Sequence, residues 1–212
     1  MKRAKDYRDL AKYNCDPYVK VLMLITLITL AMEFVIGFSI TKEVNVDGLL
    51  IRKTEQPLAW LSIFLSGQIA MGWVYVNANV CRGIRPYTKT FFRGFDNYFK
   101  ATWAYLLQGI YLLLWGIITL GIGSIIKSFS YSMTYNILVD NPQMSVNEAI
   151  TESRRLMKGH KWRLFCLEFS YIGWMLLCAL TLGILSLWVT PRMQQANYLF
   201  YRDLREKDYL SE

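Results

Sequence analysis

Thr119-Leu120-Gly121-Ile122 and Thr181-Leu182-Gly183-Ile184 are identical tetrapeptides, each set inside a long, nearly charge-free apolar run. Carrying the offset between them outward pairs Arg93 with Arg155, Leu114 with Leu176 and Ser124 with Ser186, while flanking positions keep their apolar or polar character more than their identity. A shared register of this kind predicts duplication of one structural unit. Both apolar runs are too long for a single membrane crossing, so each Thr-Leu-Gly falls where one helix must end and the next begin. Both tetrapeptides therefore read as tight turns between paired helices. Chance recurrence of a short string in Leu-rich sequence is the competing explanation.

Composition supports the membrane reading. Of 212 residues, 54% are hydrophobic and 19% charged, against about a quarter charged in soluble domains. The apolar residues are also clustered. Residues 21–41 hold one charge (Glu33), 57–81 none, 101–139 only Lys127, and 164–191 only Glu168. A spanning helix needs about 20 such residues. The expected fold is an all-α polytopic membrane bundle of about six transmembrane helices in one domain. Its three tandem units, 1–82, 83–142 and 143–205, would each be an amphipathic helix followed by a helical hairpin.

The net charge of +8 is then a topology signal. Lys and Arg concentrate in 2–20, 82–100 and 154–163, which the positive-inside rule places in the cytoplasm together with both termini. Residues 41–56 balance their charges and suit the outer face, with Gly48 and Pro57 as helix breakers. The first apolar run lacks a small-residue cleavage site after it and reads as a retained helix. Because topology explains the basic residues, nucleic acid is not an expected partner. Cys15, Cys81, Cys166 and Cys178 show no C-x-x-C spacing and read as free thiols, with no metal or cofactor expected.

Along the chain, spanning helices are expected at about 20–41, 58–80, 101–118, 124–139, 162–180 and 184–201. The last is interrupted by Pro191, Arg192, Gln194 and Gln195. Ser145-Val146-Asn147-Glu148 is a capping box. The helix it starts carries an apolar stripe of Val146, Ala149, Ile150, Leu156 and Met157 and stops at Gly159.

From Lys127 to Leu187 the elements Y-S-M, D-N-P, S-x-x-E-A-I, M-K-G-H-K-W and I-G-W occur in order. This stretch resembles a bacterial integral-membrane family, domain-of-unknown-function family 975, found mainly in Firmicutes. The likeness is strong over the C-terminal half and weaker over the first hundred residues. It implies a multi-spanning bacterial plasma-membrane protein and no established activity. Distant relatives resemble the membrane portion of some glycerophosphodiester phosphodiesterases, but the catalytic barrel of those enzymes has no counterpart here.

The catalytic inventory is thin, and the chain is expected not to be an enzyme. His160 is the only histidine, which excludes H-E-x-x-H chemistry, and there is neither a G-x-S-x-G nor a Walker lysine loop. Two sets of residues remain as candidates. The first is an intramembrane polar cluster of Glu33, Gln68, Lys127, Tyr131, Thr134, Arg192 and Gln195, in which Glu33 and Lys127 have matching depths and read as an ion pair. Polar faces on the even-numbered helices would line a common wet cavity or serve as interhelical glue. The second is an interfacial set of Arg93, Lys100, Arg154, Arg155, Lys158, His160, Lys161 and Trp162, fit to meet lipid headgroups or a partner. The leading expectation is a non-enzymatic membrane scaffold or lipid-binding module, with membrane lipids and another membrane protein or a second copy as partners. A small transporter or lipid-handling permease is the alternative.

Overall fold

The structure is a computed structural model that describes residues 2–37, 40–46, 49–55, 57 and 60–211. In chain order it contains α1 (Ala4–Cys15), a 3-10 turn (Asp16–Tyr18), α2 (Val19–Ile36), β1 (Ile40–Val46), β2 (Leu49–Glu55), α3 (Trp60–Cys81) and α4 (Thr88–Phe92). A second 3-10 turn (Arg93–Phe95) leads to α5 (Tyr98–Ile118), α6 (Ile122–Tyr131), α7 (Thr134–Asp140), α8 (Val146–Leu156), α9 (Lys161–Phe169), α10 (Ile172–Leu180) and α11 (Ser186–Ser211). The body of the molecule is helical, as the patterning predicts. Four stretches are long and apolar enough to cross a membrane: Ala4–Ile36, Trp60–Cys81, Tyr98–Ile118 and Lys161–Leu180. The chain is a membrane protein.

Pro17 does not break the first stretch because it sits at the start of the 3-10 turn, where a missing N–H costs nothing. The expected outer loop contains instead an antiparallel hairpin, with Ile40 opposite Glu55 and Val46 opposite Leu49. Its β-branched residues Ile40, Thr41, Val44, Val46, Ile51 and Thr54 favour strand over coil. Gly48, read from the sequence as a breaker, lies outside the described residues.

Both Thr-Leu-Gly strings form the expected turns, with nearly the same geometry. Leu120 and Leu182 each have φ of 50°, followed by Gly121 at 90° and Gly183 at 85°. Two consecutive left-handed residues are what a helix needs to reverse within three positions, and glycine takes the second without a Cβ clash. The Gly121 N–H reaches Gly116 O at 2.9 Å and the Gly183 N–H reaches Cys178 O at 2.8 Å. In each turn the threonine hydroxyl bonds back to the incoming helix and accepts from the outgoing one. Gly123 N–H donates to Thr119 Oγ1 at 2.8 Å and Leu185 N–H to Thr181 Oγ1 at 3.3 Å.

α11 forms the centre of the bundle. Its Ala196, Tyr198, Leu199, Phe200, Tyr201 and Leu204 are buried, and α1 runs antiparallel along it. Tyr7 stacks edge-on against Phe200, Cys15 meets the Pro191 carbonyl, and Arg192 bonds Asp16 at 2.6 Å. α8 follows its capping box, with Ser145 N–H donating to Glu148 at 2.9 Å and Glu148 N–H to the Ser145 hydroxyl at 3.3 Å. All five stripe residues read from the sequence lie in the core.

Candidate functional site

Gly159, at φ +80°, turns the chain sharply from α8 into α9 and brings Arg154, Arg155, Lys158, Lys161 and Trp162 around one open cavity of about 660 Å³. Lys127 of α6 closes the opposite wall, with Ser130 and Thr151 as the neutral polar lining. No acidic residue lines the cavity. Arg155 is held by Glu152 at 2.8 Å and by Asp208 of α11, which fixes the rim of the pocket to the central helix. Among the described residues no carboxylate pairs with Lys127, Arg154, Lys158 or Lys161. Lys127 Nζ stands 4.1 Å from the Trp115 ring centroid, a cation–π contact. Trp162 is 71% exposed and starts an aromatic ladder, stacked on Phe165 at 5.1 Å, which in turn stacks on Phe169 at 5.8 Å.

The rest of the expected interfacial set is dispersed. Arg93 lies over the Tyr75 ring at 4.9 Å, and Lys100 donates to the Pro142 carbonyl. His160 caps the start of α9; burial and the neighbouring Arg163 and Lys207 hold its imidazole pKa below the ordinary value, so it is neutral near pH 7.

The expected polar cluster is not assembled either. Lys127 belongs to the basic pocket while Glu33 lines a different cavity, and among the described residues the two form no ion pair. Gln68 is fully buried and bonds Tyr98 O at 3.2 Å and Thr102 Oγ1 at 2.7 Å, which makes it glue between α3 and α5. Tyr131 packs on Tyr111, and Thr134 bonds the Tyr131 carbonyl. Arg192 bridges Asp16 and lies 3.5 Å from the Trp188 ring centroid. Gln195 is fully buried with both amide atoms unpartnered.

The cavity that does form, of about 530 Å³, lies between α2, α3, α7, α9 and α11. Thr26, Thr29 and Glu33 enter it from α2, Ser62, Ser66 and Asn77 from α3, and Thr190, Gln194 and Asn197 from α11, with Asn136 and Glu168 completing the polar lining. The spacings of three and four residues within each set were legible in the sequence as polar stripes on otherwise apolar helices. Sequence reasoning missed them because hydroxyls and amides in membrane helices are common and carry no label of what they face.

No curated protein and no solved structure matches the chain. A family described as "Protein of unknown function (DUF975)" has a model that matches residues 116–208, from the end of α5 through most of α11. The chain carries, in this C-terminal part, the region that defines that family, as the residues of the basic pocket and both Thr-Leu-Gly turns fall within the match.

Proposed function

We infer that this is a non-enzymatic membrane module that captures anionic lipid headgroups at a basic pocket on its cytoplasmic face, in the plasma membrane of a bacterium with both chain termini inside. The single observation that supports the reading is the pocket of about 660 Å³ walled by Lys127, Arg154, Lys158 and Lys161 without a compensating carboxylate. Like charges gathered without counter-charge repel one another, so such a pocket is at its most stable when an anion is bound. The exposed Trp162 beside it, continued by Phe165 and Phe169, is the residue type that settles at the headgroup level. A phosphate between the lysines with acyl chains along the aromatic ladder satisfies both features.

Native mass spectrometry of protein purified with mixed phosphatidylglycerol and phosphatidylcholine tests it. Retention of phosphatidylglycerol over phosphatidylcholine is expected, reduced about tenfold or more by Lys158→Glu with Lys161→Glu, since each basic residue near an anionic surface contributes about 1 kcal/mol. Equal retention of both lipids, or a preference untouched by the double substitution, overturns the reading. A co-purifying protein in place of lipid moves the role to that of a scaffold.

A further inference from the structure

The polar cavity between α2, α3, α7, α9 and α11 has the opposite character to the basic pocket. Glu33 and Glu168 line it, hydroxyls and side-chain amides supply the rest of its polar surface, and neither Lys, Arg nor His reaches it. From Ser62 to Asn77 its lining runs about 22 Å along α3 at 1.5 Å per residue, most of a hydrocarbon core of about 30 Å. Asn77 is 4% exposed, faces this cavity and makes no side-chain hydrogen bond among the described residues. A buried amide without a partner is costly unless something in the cavity satisfies it. Interhelical glue does not explain it, because glue residues such as Gln68 are paired across the helix contact.

We propose that this cavity binds a monovalent cation, an alkali ion or a small protonated amine, coordinated by the Asn77 amide oxygen, neighbouring hydroxyls and the two glutamates. Carboxylates placed inside a membrane bundle without a cationic side chain beside them require a positive ligand or a proton, and the amide and hydroxyl oxygens are hard donors suited to the same charge. The Trp73 ring in the wall adds a face on which an ammonium group rests well. Divalent metal is not the ligand proposed, since among the described residues no group of three His, Cys, Asp or Glu converges on one point. The proposal stands independently of the lipid-binding reading, which uses different residues at a different site.

The test is thermal unfolding of the full chain in detergent at constant ionic strength, with N-methyl-D-glucamine replaced in turn by sodium, potassium and methylammonium. At least one of the three is expected to raise the midpoint by about 3 °C or more, because a ligand that binds only the folded state stabilises it by mass action. Sodium or potassium alone identifies an alkali-ion site, and methylammonium alone an amine site. The shift, read separately for each variant from its own baseline, is expected to fall by half or more in Glu33→Gln and in Asn77→Leu, and to persist in Lys158→Glu. No shift with any of the three in the wild-type chain overturns the proposal. So does a shift that survives both cavity substitutions.

Discussion

Asp203 holds the cytoplasmic half of the bundle together. It accepts from the Tyr7 hydroxyl at 2.6 Å and from Lys207 at 2.7 Å, with Arg163 at 3.4 Å, and so ties α1 and α9 to α11. Burial works to raise its carboxyl pKa, but the bonds from Lys207, Tyr7 and Arg163 outweigh it and hold the group below the usual carboxylate range. A carboxyl lowered in the folded state stabilises the fold above its unfolded pKa of about 3.9, and that contribution is lost as pH falls through the folded value. Thermal midpoints of the wild type are therefore expected to drop below about pH 4 more steeply than those of Asp203→Asn, which starts lower at neutral pH. Parallel slopes in the two chains refute this role. Tyr7→Phe is expected to cost about 1–2 kcal/mol by removing one donor from a charged acceptor, measured by the same unfolding.

Helix packing depends on where a side chain is absent. A Cβ at Gly67 would stand 2.2 Å from the Ala101 carbonyl oxygen, and one at Gly94 2.3 Å from the Gln68 carbonyl oxygen, so α3 meets both α5 and the turn before it backbone to backbone. Small residues at such crossings are how membrane helices approach closely enough for dispersion to hold them. Gly67→Ala is expected to destabilise by about 1–3 kcal/mol through overpacking, while Gly109→Ala, with open space around its Cβ, is expected to be neutral or stabilising. Equal effects in a denaturation assay would disprove the contact. The turn between α10 and α11 carries a second prediction. Its tip, Leu182, is 94% exposed, no residue of α10 is buried, and both arms are uncharged back to Arg192, which is bonded to Asp16 and close to Tyr171. Ten residues of helix from Arg192 to Leu182 rise about 15 Å, half of a hydrocarbon core of about 30 Å. The hairpin is expected to enter the membrane and return on the same side. In a variant with Cys15, Cys81, Cys166 and Cys178 replaced by serine, Leu182→Cys should resist an impermeant maleimide added outside intact cells and react only after detergent. Labelling from outside would show a full crossing.

At the scale of the whole molecule, α1 lying antiparallel to α11 keeps the two ends of the chain on one side, which agrees with the expectation drawn from the basic segments. A hairpin that re-enters leaves that agreement intact but lowers the number of crossings below six. The sequence by itself determined the membrane setting, the helical class, both Thr-Leu-Gly turns and the Ser145 capping box, because each depends on local chemistry: apolar length, a glycine after a left-handed residue, a hydroxyl three positions before a carboxylate. Val146, Ala149 and Ile150 were likewise legible as a buried stripe from spacing alone. Only the tertiary structure decided which charges meet. Glu33 and Lys127, matched in depth along their own helices, face different cavities because depth constrains one coordinate and the rotation and neighbours of a helix set the other two. α11 shows the same limit: its Pro, Arg and Gln residues made it the least membrane-like helix in the sequence, yet it is the element around which the others pack. Burial there is produced by the surrounding helices and by Asp16, Tyr7 and Arg155, residues far away in the chain, and a contact between distant residues leaves no periodicity for a sequence to display.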